Sequence, residues 1–240
     1  MGENCGRLSK DGQADPYQHT IKRGDAALVG GHEPNRKWRG LMEEKQHDRL
    51  LNIKTRGLRE WRDPGVTYNR YEPTPYSALE SLFQVYKLSK TDKMVDFGCG
   101  RGRVAFYVHN RFQVPVVGIE ANERTYEEAL RNKATYRLRA QHIKAPIRLV
   151  FGLAEHYEVE PEDNKFYFFN PFSVSTFKLV TANIMTSVKK KRRPVDIILY
   201  YPLPKYKKIL QTKTPFRLLT KIRIPRETDK TKKFLVYRCR

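Results

Sequence analysis

The sequence predicts a three-layer α/β domain built on a mostly parallel sheet, and three observations carry that prediction. The first is Met94-Val95-Asp96-Phe97-Gly98-Cys99-Gly100-Arg101-Gly102-Arg103-Val104, an apolar strand pattern that stops in three alternate glycines and restarts as a helix. The second is an alternation of short apolar runs, at residues 116–120, 147–152, 165–169 and 195–201, with longer stretches of helical spacing, which marks βαβ units. The third is a closing pair of strand patterns, 216–224 and 233–239, parted by Pro225-Arg226-Glu227-Thr228-Asp229. Arg and Lys alternate there with Leu, Ile and Val, as on a half-exposed antiparallel edge.

Residues 1–36 are rich in Gly, Asp, Gln, Lys and His, show no sustained apolar period, and read as disordered or loosely packed. From Arg36 a helix is expected, with Trp38, Leu41 and Met42 on one face and Leu50 and Leu51 continuing it to a stop near Gly57. With the turn Trp61-Arg62-Asp63-Pro64-Gly65 it makes residues 37–70 a helical extension ahead of a main domain, residues 71–240. Thr74 is placed as N-cap and Pro75 as first residue of a helix that aligns Leu79, Leu82, Phe83 and Tyr86. A crossover helix follows the glycines from Arg103 to about Phe112, and a modestly amphipathic one covers 123–140 before Pro146 breaks it. The fourth strand, Lys165-Phe166-Tyr167-Phe168-Phe169, ends in Asn170-Pro171-Phe172-Ser173. Phe177, Val180, Ile184 and Val188 then mark a helix closing in cations before Pro194, and the fifth strand runs into a Pro202-Leu203-Pro204 turn.

A chain of 240 residues is long enough for one well-buried core. Its three cysteines, Cys5, Cys99 and Cys239, form no C-x-x-C pair, so neither a zinc site nor a disulfide framework is suggested. No metal is expected, and a reducing, cytoplasmic setting is. No apolar run approaches the roughly 20 residues that span a bilayer, and Met1-Gly2-Glu3-Asn4-Cys5-Gly6 carries no signal-peptide core, so no membrane partner is expected either. The formal net charge is +21, and residues 189–240 hold 18 Lys and Arg against Asp196, Glu227 and Asp229, a net of +15. Such a field attracts polyanions, nucleic acid first among them; a merely soluble basic surface is the alternative.

Alternate glycines let the backbone turn tightly and approach a ligand with no Cβ in the way, while the helix behind them points its N–H groups at the gap. A nucleotide-shaped ligand fits such a turn. The spacing Gly98, Gly100, Gly102 after Asp96 departs from the dinucleotide fingerprint, whose last glycine follows the second by three. Glu120, 24 residues after Asp96, ends the next strand, where an acid can accept both ribose hydroxyls across the crevice. A turn that binds nothing is the alternative. On these residues the chain resembles the class I S-adenosylmethionine-dependent methyltransferases, across roughly residues 71–240, and most closely uncharacterised bacterial members bearing Asn-Pro-Phe. The resemblance implies their Rossmann-like fold, a mostly parallel seven-stranded sheet with an antiparallel C-terminal strand, and S-adenosylmethionine as cofactor. It implies that Asp96, Gly98, Gly100, Gly102 and Glu120 hold that cofactor, and that Ala154 and Glu155 meet the adenine amine, an ordinary loop acid being the alternative.

Many such enzymes that modify an amino group carry Asn or Asp, one or two prolines and an aromatic ring at the end of the fourth strand. The resemblance therefore implies Asn170, Pro171 and Phe172 as the catalytic set: Asn170 accepts the N–H groups of the target nitrogen and Phe172 stacks on a planar substrate. The alternative is Asn-Pro as a simple strand terminator. Relatives also lay the loop before the first helix over the methyl donor, which implies Tyr71, Thr74 and Tyr76 near the site; a helix cap with two core aromatics is the alternative. The expected activity is N-methylation of an amino group, with an RNA base favoured as acceptor. A small-molecule or protein methyltransferase and a non-catalytic nucleic-acid binder are the competing readings. Tyr71-Glu72-Pro73-Thr74, the glycine turn and Gly118-Ile119-Glu120 also resemble small lysine methyltransferases, which generally lack Asn-Pro-Phe.

Overall fold

The computed structural model describes residues 36–58 and 69–240, and of residues 36–43 the backbone alone. Among these lie α1 (Arg36–Leu51), α2 (Tyr76–Val85), β1 (Met94–Phe97), α3 (Arg103–Phe112), β2 (Val116–Glu120), α4 (Glu123–Arg139) and β3 (Ile147–Phe151). They continue as β4 (Lys165–Phe168), α5 (Val174–Lys190), β5 (Val195–Tyr200), α6 (Pro204–Lys213), β6 (Arg217–Arg223) and β7 (Lys233–Cys239). The strands make one seven-stranded sheet in the order β3-β2-β1-β4-β5-β7-β6, parallel throughout except that β7 runs antiparallel to both β5 and β6. This is the expected mostly parallel, seven-stranded sheet with an antiparallel C-terminal strand.

Side chains alternate across a strand, so the sheet feeds two cores. Met94, Val116, Tyr167 and Ile198 meet Leu79, Leu82 and Phe83 of α2, Ala105 and Val108 of α3, and Ala129 and Tyr136 of α4. Phe97, Phe166, Phe168 and Ile197 meet Phe177, Val180 and Ile184 of α5 and Tyr206 and Leu210 of α6. The N-terminal edge of the sheet is fixed by charge. There Asp196, fully buried on β5, accepts two bonds from Arg238 at 2.7 and 2.8 Å and one from Tyr86, with the Lys165 Nζ at 3.2 Å. The opposite, C-terminal edge is left to glycines and loops.

Three local expectations are corrected. The first helix stops at Leu51, short of Gly57, because Asn52 takes a left-handed φ of 55° and the Ile53 N–H returns to the Asp48 carbonyl at 2.9 Å, a Schellman closure. Thr74 is not the N-cap of α2. Pro75 holds that position, the Thr74 hydroxyl shares a hydrogen bond with the Tyr167 hydroxyl at 2.8 Å, and the free Tyr76 N–H donates to Glu44 of α1 at 2.8 Å. The Pro202-Leu203-Pro204 turn opens a helix, α6, with Pro204 at its start and Tyr206, Ile209 and Leu210 buried on one face.

Residues 36–240 form one compact unit, so the described part of the helical extension packs as part of the main domain. Glu44 also pairs with Arg103, tying α1 to α3. The expectation for residues 1–36 lies, Arg36 apart, outside the described residues, as does the turn at 61–65.

Candidate active site

β1 stands where the strand order reverses, with β2 on one side and β4 on the other, and such a switch point opens a crevice at the C-terminal strand ends. Asp96 faces into it, in register with Gly118 of β2 and Tyr167 of β4. Only 2 % of Asp96 is exposed, and its Oδ2 has no hydrogen-bond partner. Burial, with the Glu120 charge added, pushes its carboxyl up to about 8. Glu120 is buried as well, but its two oxygens accept the N–H groups of Gly100 at 2.9 Å and Asn122 at 2.8 Å. Burial raises its pKa while those amides pull it back down.

The glycines are required by what crowds them. Gly98 has φ +73°, and a Cβ there would stand 2.4 Å from the Cβ of Pro171; Gly100 has φ +56°, and a Cβ would enter the Tyr71 ring at 2.1 Å. The turn is thus clamped between the Asn-Pro loop and a roof. At Gly98 the neighbour that a Cβ would meet is Pro171. Gly102, also left-handed, starts α3.

The roof is the segment from Asn69 to Thr74. Its Asn69 N–H donates to the Pro171 carbonyl at 2.9 Å and its Asn69 side-chain amide to the Asn170 carbonyl at 2.6 Å. Tyr71 donates to the Thr55 carbonyl at 2.5 Å beneath the Arg101 guanidinium, and Arg103 holds the Thr74 carbonyl at 3.1 Å. So closed, the cleft has a volume of about 50 Å³. Ligand pockets run to about 300–1,000 Å³, so the roof as it stands leaves less room than a nucleoside fills.

Of the residues singled out from sequence, Asp96, Gly98, Glu120, Tyr71, Thr74 and Pro171 line this cleft, with Gly100 and Gly102 in the turn behind it. Asn170 stands beside it in a left-handed conformation, φ 42°. Phe172 does not face a substrate: it is 1 % exposed, edge-on to Phe168 on the α5 side, and its carbonyl accepts from the Tyr206 hydroxyl at 2.5 Å. Tyr76 is a core residue too, stacked on His47 and donating to Asp48 at 2.8 Å. Ala154 is buried in the core shared with α5, and Glu155 lines a separate surface pocket where its carbonyl accepts from Asn183 at 2.7 Å, so the fold does not bring this pair to the cleft.

Tyr167, Phe169, Asn69, Arg103 and Asn122 line the cleft and were not singled out. The strand period held a signal for two of them. Tyr167 pairs with Asp96, and Phe169 lies two residues on, on the same face, so Phe169 joins Tyr71 and Tyr167 among the aromatic rings at the cleft.

The charge is also redistributed by the topology. α5 leaves the C-terminal edge and ends where β5 begins, which puts residues 189–193 at the far, N-terminal edge. There Arg193 donates to the carbonyls of Asp163, Ser187 and Glu160, and Lys191 pairs with Glu162 at 3.1 Å. Of residues 189–240, the cations that share the cleft's edge come from the β6–β7 hairpin and α6. Arg223 pairs across the ladder with Lys233, whose carbonyl accepts from Tyr201 N–H at 3.1 Å, and Lys207 and Lys221 lie close enough to depress the Lys233 pKa after burial does. Among the described residues no group of three or more His, Cys, Asp and Glu side chains could hold a metal ion, and no helix is long and apolar enough to cross a membrane.

No family model matches the chain. A methyltransferase from Pyrococcus furiosus superposes with a TM-score of 0.52 at 16 % identity, over 85 % of this chain and 97 % of that one. An RNA methyltransferase from Salinibacter ruber in complex with S-adenosyl-L-homocysteine gives a TM-score of 0.50 at 13 % identity, over 70 % and 92 %. The fold is that of the class I S-adenosylmethionine-dependent methyltransferases. In sequence, 68 residues are 36 % identical to a protein-lysine N-methyltransferase from Saccharolobus islandicus (strain REY15A), 28 % of this chain and 42 % of that relative's length.

Proposed function

We propose that this chain transfers a methyl group from S-adenosylmethionine to a nitrogen acceptor presented at the Asn170-Pro171 loop. The observation that carries the reading is the buried Asp96 oxygen without a partner, facing the same cleft as Glu120. An unpaired buried carboxylate costs stability and is answered by a cation, and a second carboxylate held open by backbone amides suits a vicinal diol. A ligand with an amino-acid ammonium at one end and a ribose at the other satisfies both.

When bound, S-adenosylmethionine supplies a methyl group already activated by its sulfonium, so the protein's work is alignment and exclusion of water. Asp96 takes the ammonium. Glu120, fixed by Gly100 and Asn122, accepts the ribose hydroxyls, and the roof closes over both. Asn170 offers its side-chain oxygen, and the second lone pair of a carbonyl that Asn69 already engages, to the N–H groups of the acceptor.

Glu120→Ala is expected to weaken the methyl donor roughly tenfold to a hundredfold per lost bond, each being worth about 1.5–3 kcal/mol. Titration calorimetry reads it, and unchanged affinity means the ribose lies elsewhere. Asn170→Gly keeps the left-handed backbone and loses only the side chain. It should lower kcat steeply while donor affinity stays within a few fold, the mark of an interaction made in the transition state. Equal losses in binding and turnover would count against that role.

For the acceptor we favour an RNA base, on the cations that the β6–β7 hairpin and α6 bring to the cleft's edge, where phosphates would be positioned while the pocket selects the base. A lysine side chain is the second reading, favoured by the 68-residue match to the Saccharolobus protein. Tritium transfer from labelled donor into a cell extract split into RNA and protein separates them. Label in RNA supports the first reading, label in protein replaces it with the second, and no donor binding at millimolar concentration removes both.

A further inference from the structure

We infer that the groove between the α1 tail and α4 is a phosphate track for a polynucleotide strand, beside the cleft and separate from it. It is a larger cavity than the cleft, about 920 Å³, and six cations line it: Lys45, Arg49, Lys54, Arg56, Arg101 and Arg131. The only acids lining it are Asp48 and Glu128, and both are consumed. Asp48 accepts the Thr55 N–H, the Thr55 hydroxyl and the Tyr76 hydroxyl at 2.6–2.8 Å, and Glu128 is bound by Arg101 at 2.6 Å. Arg131 leans on Glu127 at 3.8 Å. Lys45, Arg49, Lys54 and Arg56 are exposed and make no ion pair among the described residues.

What distinguishes this groove from a basic surface in general is that its cations stand on a fixed frame. The Asn132 side chain accepts the Lys54 N–H at 2.8 Å and donates to the Lys54 carbonyl at 3.1 Å and the Arg101 carbonyl at 3.0 Å. Asn52 and Thr135 exchange two more bonds, at 2.8 and 2.7 Å. Loop residues 52–56 are thereby locked to α4, and a preordered loop loses little entropy when its side chains meet a ligand. Lys45 and Arg49 stand one helical turn apart, about 6 Å, so they offer successive contacts along a strand and not one focus. Holding these like charges together works against the fold, and phosphates relieve it.

The track also lies next to the chemistry. Thr55, between Lys54 and Arg56, accepts the Tyr71 hydroxyl with its carbonyl, and the Arg56 carbonyl accepts from Arg101, whose guanidinium covers the Tyr71 ring. A strand seated in the groove passes the outer side of the roof. The identity of the polyanion rests on the RNA reading above, but the groove's existence as an anion site does not.

The test is fluorescence anisotropy with a labelled single-stranded RNA 20-mer, without methyl donor, across a salt series. Wild type is compared with Lys54→Ser/Arg56→Ser, with Lys45→Ser/Arg49→Ser, and with Lys189→Ser/Lys190→Ser on the far edge. Each phosphate contact contributes a log–log salt slope of about −0.7 for single strands, so each groove variant should lose about 1.4 of slope while the far-edge variant loses none. All variants should bind S-adenosylmethionine as wild type does. Equal slopes in wild type and groove variants overturn the track, and so does displacement of the RNA by micromolar inorganic pyrophosphate, which would mark a small-phosphate site. Groove-dependent RNA binding with tritium entering only protein would keep the track and remove the RNA acceptor. RNA labelling with unaffected groove variants would do the reverse.

Discussion

Asp96→Asn should bind the methyl donor some tenfold to a hundredfold more weakly than wild type and yet melt at a higher temperature. Both results come from one atom. Asp96 Oδ2 is buried without a hydrogen-bond partner, beside a second buried carboxylate, so the apoprotein carries an unanswered charge or holds a proton to avoid it. Burying that charge, or holding a proton at neutral pH to avoid it, costs stability, and an amide, which does not ionise, escapes that cost. For a chain of this size each kcal/mol moves Tm by about 2–4 °C. The same substitution deletes the anion that answers the ligand's ammonium, a charge-assisted bond of about 1.5–3 kcal/mol.

The pH dependence fixes the sign. Folded Asp96 keeps its proton up to about 8, whereas the unfolded carboxyl gives it up near its ordinary value of 3.8. Between those values the folded state holds the extra proton, so wild-type stability falls as pH rises through the window. Donor affinity moves the other way, rising as the carboxylate ionises. Asp96→Asn should flatten both trends. Thermal melts and titration calorimetry from about pH 5 to about pH 8 check this, and parallel Tm curves for wild type and variant would sink it.

Why some of the site was legible and some was not follows from where each residue sits. Asp96 and Glu120 end adjacent parallel strands, so the sheet alone aims them at one crevice, and a strand followed by alternate glycines marks that crevice from sequence. Phe172 was misplaced because a motif's order says nothing of the turn its backbone takes. With Asn170 at φ 42° the chain reverses, and Phe172 enters the α5 core while Phe169 stays at the cleft. Ala154 and Glu155 stand outside the lining of the closed cleft for a like reason, since the loop after β3 turns toward α5. α6 was hidden by its prolines, although Pro204 with Tyr206, Ile209 and Leu210 spells a helix start and its buried face. The position of residues 189–193 could be had only from topology: a cationic helix end is a fact of sequence, and the sheet edge it reaches is not.

Gly98→Ala is expected to cost about 2–5 kcal/mol of stability and to lower turnover about a hundredfold even at saturating donor. Two terms make up the stability loss. A left-handed conformation costs an L-residue about 1–2 kcal/mol, and forcing a methyl into a packed contact costs about 1–3 kcal/mol. Here the contact is the Cβ of Pro171, which the new methyl would approach to 2.4 Å, so the proline must move. Asn170 moves with it, and a displacement of about 1 Å at a positioning group can cost about a hundredfold in rate. The collision is separable from the backbone strain. Pro171→Gly removes the Cβ that is struck, so Gly98→Ala/Pro171→Gly should be less destabilised than the two single changes added together, by about 1–2 kcal/mol. Chemical denaturation of the four proteins closes the cycle. Simple additivity would mean that strain at Gly98, and not the link between the glycine turn and the acceptor loop, accounts for the loss.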